Sequence, residues 1–192
     1  MKQKVVGRVN AVLLGDFPDT HITRRISQVE VDFSGFIGDH HSGLTIHSGD
    51  RTPYYPIGTK IRNYRQVTIL SHEELAETQE ELGLSELLPE WYGGNLELEG
   101  ISKLTMIPPS TRLFFSSGAV LVVDGVNSPC NTIAKTIQQH FPEREDLQVK
   151  FIKIAKLRRG IVAWVEKCGL INYGDGVEAL IPGQFLYGGN QS

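Results

Sequence analysis

Cysteine is scarce in this chain, with two in 192 residues. Two thiols cannot make the disulfide framework of a small secreted domain, and no secretory leader opens the sequence, so a reducing, cytoplasmic setting is expected. An excess of either charge is also missing. Nineteen Lys and Arg against 22 Asp and Glu leave a formal charge of −3, which gives no reason to expect nucleic acid or an acidic membrane as partner. No run approaches the roughly 18 apolar residues that a membrane-crossing helix needs. Phosphate-loop and dinucleotide fingerprints, the GxSxG elbow and the helical histidine pair of zinc proteases are absent too, which removes the commonest nucleotide, serine-hydrolase and zinc-protease signatures.

What is present reads as one domain over residues 1–192, with residues 183–192 as a C-terminal tail. Residues 3–14 and 25–33 read as an antiparallel pair of strands, the second placing Val29, Val31 and Phe33 on one face. Residues 34–63 lack apolar periodicity and are rich in Gly, His, Ser and Pro, and loops of that length are usually functional or disordered. After a strand over residues 66–70, Ser71 with Glu74 forms a capping box for a helix from His72 to about Leu82, ended by Gly83. A helical turn over 85–88 follows. Strand pattern then returns at Leu96 and Leu98, at Leu104 and Ile107, at 112–115 and at 119–123. Later come a helix over 129–141, a segment over 145–157 that fits a helical face better than the strand it could also be, and strands over 161–165 and 177–181, with Gly169, Gly174 and Gly176 marking turns. Many short strands with few helices predict a mostly β, barrel-like domain decorated by helices.

The stretch with the most chemical content is 117–137. An apolar strand ends in a polar turn and a helix begins, with Ser128 suited to the N-cap, Pro129 to the first helical position and Cys130 to the second. A thiol placed there faces unpaired backbone N–H groups and the positive end of the helix dipole, which favour the thiolate. A small buried hydrophobe is the alternative reading of Cys130. Cys168, with no cap or helix start beside it, reads as structural.

His40, His41 and His47 with Asp39 and Asp50 are the densest group of possible metal ligands, although their spacing matches no strong zinc pattern. Ordering of the long loop, or contact with a substrate, is the competing expectation. Arg51, Arg62, Arg65, Arg112, Arg158 and Arg159 could each offer a fork of donors to a phosphate or pterin-like anion. Gly93-Gly94-Asn95 permits a left-handed turn or a close backbone approach.

Taken in order, Gly38-Asp39-His40, His47-Ser48-Gly49, Arg65-Gln66-Val67, Gly94-Asn95-Leu96, Gly118-Ala119, Pro129-Cys130, Arg159-Gly160 and Gly169-Leu170-Ile171 resemble the MOSC domain, in its small stand-alone bacterial form. That family is named for the C-terminal part of molybdenum cofactor sulfurase. The resemblance implies a MOSC-like β-barrel, similar to the barrel domain of pyruvate kinase, with a signature cysteine in a pocket. Carried over by position that cysteine is Cys130, as a persulfide sulfur carrier or a molybdenum ligand. His40, His47, Arg65, Asn95, Asn131 and Arg159 would then surround the pocket as contacts to a molybdopterin cofactor or substrate. The implied activity is sulfur transfer or reduction of N-hydroxylated compounds. A sulfur-donor protein is an implied partner, and pyridoxal phosphate, which belongs to a separate domain of the full sulfurases, is not expected on this chain alone. A binding module for a small anionic or sulfur-containing ligand is the alternative, and a zinc-dependent hydrolase the third reading.

Overall fold

Apolar alternation at a period of two runs through most of the chain, and the structure, a computed structural model, turns it into a closed barrel. Residues 3–17 and 19–184 are described; most of the expected C-terminal tail, from 185 onward, lies outside them. The strands are β1 (Gln3–Leu14), β2 (Arg24–Ile26), β3 (Gln28–Asp32), β4 (Gly35–Phe36), β5 (Thr45–His47), β6 (Lys60–Arg62), β7 (Val67–Ser71), β8 (Leu96–Glu99), β9 (Arg112–Phe115), β10 (Val120–Val126), β11 (Ile161–Lys167), β12 (Gly169–Asn172) and β13 (Gly176–Ile181). The helices are α1 (His72–Leu82), α2 (Asn131–His140) and α3 (Leu147–Ile154), with single 3-10 turns at Pro89–Tyr92 and Leu104–Met106.

The barrel order is β13-β9-β10-β11-β7-β8-β1, closed by pairing of β1 with β13. Closure leaves no free edge among these seven strands, which removes the hazard of unpaired backbone groups. All neighbours are antiparallel except β7 and β8, whose parallel pairing requires the crossover that α1 supplies. The long β1 serves three partners, giving residues 3–8 to β13, residues 8–12 to β8 and residues 12–14 to β2.

Two apolar clusters follow from the alternation. Val67 and Ile69 of β7, Leu121 and Val123 of β10 and Ile161 and Ala163 of β11 point into the barrel. Leu70 faces outward and joins Leu75, Leu82, Ile133, Ile137, Phe151 and Tyr92 beneath the helices. The helical layer therefore covers one side of the barrel and fixes where α2 begins.

Helix α1 starts and stops as expected: the Ser71 hydroxyl accepts from the Glu74 amide at 3.3 Å, and Gly83 caps the C-terminus in the left-handed region. The Glu74 side chain does not return to the cap. It is buried and accepts from the Thr105 amide at 3.0 Å and from the Thr105 hydroxyl. Burial holds its carboxyl above the usual range despite those bonds.

Several expectations are corrected. Phe33 does not share the buried face of Val29 and Val31, because the chain turns back at Gly35 and leaves it exposed. The loop over 34–63 contains β4 and the β5–β6 hairpin, whose two- and three-residue strands are too short to show a side-chain period. The helical turn after Gly83 forms at Pro89–Tyr92 rather than at 85–88. Leu104 sits in a 3-10 turn, not a strand, since Lys103 before it adopts a positive φ. Gly169 opens β12, which pairs with β3 in a second small sheet.

Candidate functional site

At the end of the barrel where β10 finishes and β7 begins, the barrel wall, the β5–β6 hairpin and the start of α2 enclose a cavity of about 520 Å³. Its wall includes Cys130, Arg51, Arg65, Arg159, His40 and His47. A register shift between Val123 and Gly125 bends β10 just before the site, a place where bulges commonly re-aim the chain.

Cys130 lies one step before the helix, not inside it. The chain stays extended beyond β10 because the Asn127 amide donates to the Gly160 carbonyl at 2.9 Å, and Ser128, which precedes a proline, is disfavoured in helical conformation. Cys130 itself, at φ −138° and ψ 161°, is the N-cap of α2, in place of Ser128, and its side chain makes no capping bond. Half-buried, it leaves its sulfur on the cavity wall next to the amide-rich end of a ten-residue helix. Cys168 is a free, exposed thiol at the end of β11, with no structural partner.

Of the six arginines singled out by type, three converge on the cavity. Arg62 stacks over Trp164 at 5.1 Å from the ring centre, Arg112 makes a fork of two 2.8 Å bonds to Glu166, and Arg158 pairs with Glu77 and Glu81. Arg51, Arg65 and Arg159 form no ion pair among the described residues. The side-chain oxygen of buried Asn127 accepts from Arg51 at 3.1 Å and from Arg65 at 3.0 Å, holding two like charges side by side. Burial and then the charge of Arg51 hold the Arg65 guanidinium below its ordinary value, against the pull of Asp124. Arg159 is only 3% exposed. One of its nitrogens donates to the Tyr92 carbonyl, while Nε and Nη1 have no partner among the described residues. Burial pushes it down to about 10, against the opposing influence of Tyr92 and Cys130, so it is still charged at neutral pH. Buried donors without acceptors are costly, and Arg159 lies on the cavity wall.

The histidine loop is organised by one carboxylate. Asp39, whose side chain is fully buried, accepts four bonds: from the Gly15 amide at 2.7 Å, Asn95 Nδ2 at 2.8 Å, the His41 amide at 2.8 Å and His41 Nδ1 at 2.9 Å. Burial raises its pKa, but the bonds from His41 and Gly15 outweigh burial and hold the carboxyl below its usual range. Asp39, His40 and His41 come close enough together to suggest a metal site, yet both Asp39 oxygens are already saturated. His40 Nδ1 lies 2.6 Å from the Gly15 carbonyl and must donate to it. That ring occupies space a side chain at position 15 would fill, for a Cβ on Gly15 would lie 2.4 Å from it. Loop ordering therefore accounts for the Asp39 cluster better than zinc ligation does.

Among the residues expected around the pocket, Cys130, His40, His47, Arg65 and Arg159 are brought together. Asn131 borders a neighbouring cavity instead. Asn95 is fully buried behind the wall, where it accepts from the Thr68 amide at 2.9 Å and donates to Asp39, so both ends of its amide are committed away from the cavity. Sequence reasoning missed Asn127 and His21. His21 Nε2 lies 3.0 Å from the Thr136 hydroxyl, and burial, followed by the charges of Arg159, His40 and His41, lowers its pKa against the Trp91 backbone. Nothing in the pattern around His21 marks it, whereas Asn127 is the polar residue that directly follows an apolar strand, three residues before the cysteine.

Comparison with known proteins agrees with this architecture. A Bacillus subtilis (strain 168) protein named "Putative metal-sulfur cluster biosynthesis proteins YuaD" is 34% identical over 178 residues, 93% of this chain and 92% of that one. The crystal structure of the B. subtilis YuaD protein superposes with a TM-score of 0.92 at 33% identity, covering 95% of this chain and all of that one. YiiM from Geobacillus stearothermophilus shares the fold at a TM-score of 0.61 and 14% identity, over 92% of this chain and 75% of that one. The sequence profile of the MOSC domain matches residues 39–178, a span that holds the arginines, the histidine loop and Cys130, and the chain belongs to the MOSC domain family.

Proposed function

We propose that the chain handles sulfur for molybdenum cofactor chemistry, with Cys130 as the sulfur carrier beside an anionic, pterin-type ligand. The observation that carries this reading is the meeting of a half-buried thiol with three guanidiniums that form no ion pair among the described residues, one of them with two buried donors that have no partner there. The residues fit the group. Arg51, Arg65 and Arg159 would take its phosphate, aided by the first amides of α2, and Cys130 offers the soft donor that a molybdenum centre or a transferred sulfur requires. Molybdopterin, when bound, would supply the metal to which sulfur is delivered. The chain's own part is to hold the anion, keep the thiol on the cavity wall and exclude bulk water from one side of it.

The name of the B. subtilis relative, which refers to metal-sulfur cluster biosynthesis, supports a sulfur role in general terms. Two free thiols suit a reducing, cytoplasmic compartment. No helix among the described residues is long and apolar enough to cross a membrane.

The test is expression in a host that makes molybdopterin, followed by metal analysis, pterin fluorescence and intact mass after exposure to a sulfane-sulfur donor. The expected result is one extra sulfur on Cys130, absent in Cys130→Ser, together with retained pterin in both. Failure of the thiol to take up sulfur, with no pterin or molybdenum retained, would refute the proposal. Retention of the ligand with no sulfur uptake would instead identify a binding module.

A further inference from the structure

Cys130 is a wall of two cavities, not one. Adjoining the first cavity, a second recess of about 560 Å³ is lined by Val126, Ser128, Pro129 and Asn131, and shares Asp50, Arg51, Arg65, Cys130 and Thr132 with it. Its volume is that of a small-molecule site. A carrier that receives sulfur from one compound and passes it to another meets two ligands in turn, and here a donor and the pterin would use Arg51 and Arg65 one after the other, each beside Cys130.

The lining also specifies the chemistry of the occupant. Asp50 is exposed, and its side chain makes no hydrogen bond or ion pair among the described residues. The guanidiniums of Arg51 and Arg65 stand on the same wall, bonded among the described residues only to the neutral Asn127. A carboxylate, a pair of guanidiniums and a thiol in one recess match a ligand that carries an ammonium, a carboxylate and a reactive sulfur. We infer that the second recess receives the sulfur donor, a low-molecular-weight persulfide of an α-amino acid, of which cysteine persulfide is the simplest. This inference rests on the sulfur-carrier reading of Cys130.

The transfer balances without an added oxidant. The Cys130 thiolate attacks the terminal sulfur of the donor, forming a new S–S bond. The donor's own S–S bond breaks and its electron pair leaves on the donor's cysteine sulfur as thiolate. The terminal proton stays with the sulfur that moves, and that sulfur keeps its oxidation state.

The experiment compares rates of sulfur gain at Cys130, by intact mass, from cysteine persulfide and from N-acetylcysteine persulfide, which lacks the ammonium. Relative to a small free thiol, which sets the intrinsic difference between the two leaving thiols, the full chain should favour the first about fivefold, the size expected for a solvent-exposed ion pair. Asp50→Asn, a change at an exposed position, should bring the preference back to that of the free thiol. If Cys130 gains sulfur from both donors with the same ratio in the parent and in Asp50→Asn, the donor site is refuted and the carrier reading stands. Sulfur uptake only from a protein persulfide would also refute it. No uptake from any donor, excess inorganic polysulfide included, would overturn both.

Discussion

Replacing Asp39 by Asn keeps the shape of the side chain and changes one oxygen into a donor. In either orientation of the amide, two of the four present donors then face an NH2 group: the Gly15 amide and Asn95 Nδ2, or the His41 amide and ring. Two hydrogen bonds to a charged acceptor are lost, at about 1.5–3 kcal/mol each. Relief of the cost of burying a carboxylate offsets part of this, so we expect a net loss of about 2–4 kcal/mol. With a urea m-value of about 2 kcal/mol/M, the unfolding midpoint at pH 7 should fall by about 1–2 M. The difference should also depend on pH. The folded Asp39 carboxyl lies below its ordinary value, so its contribution is present above an unfolded pKa of about 3.9 and is lost as pH falls through the folded one. Parent and variant should therefore converge in acid. A midpoint at pH 7 that moves by less than about 0.3 M, or a gap that persists unchanged into acid, would show that the carboxylate does not organise the loop as described.

Gly160→Ala should destabilise the fold by more than about 3 kcal/mol, because a positive φ alone costs about 1–2 kcal/mol for an L side chain. The new Cβ would also lie 2.0 Å from the Ile69 carbonyl, which is rigid strand backbone, so Arg159 should be displaced as well. Urea unfolding and phosphate binding read the two effects separately. Asn127→Ala removes the acceptor shared by Arg51 and Arg65, and titration with inorganic phosphate should show about five- to tenfold weaker binding, the size of one or two hydrogen bonds. Unchanged affinity would mean that Asn127 does not position the guanidiniums for an anion.

Legibility in the sequence followed the range of the interactions concerned. Helix α1 was readable from its caps, and β1, β8 and β13 from alternation, because those signals lie within a few residues of one another. The β5–β6 hairpin was not readable, since three-residue strands are held by backbone pairing that leaves no side-chain pattern. The start of α2 was misplaced by two residues because a bond from Asn127 to Gly160, across 33 positions, keeps the chain extended where local preferences favour a helix. The arginines divide in the same way: nothing near Arg62, Arg112 or Arg158 shows that Trp164, Glu166 and Glu81 will engage them.

The sequence by itself determined that a β-rich barrel with a few helices would form, and that a thiol would stand at a strand-to-helix junction, because periodicity, capping and turn preference act over short spans. Tertiary structure alone decided which three guanidiniums form no ion pair among the described residues, that Asn95 serves the loop and not the cavity, and that Cys130 borders two recesses. Those outcomes depend on which side chains meet across the closed barrel, and charge pairing and burial are properties of that meeting.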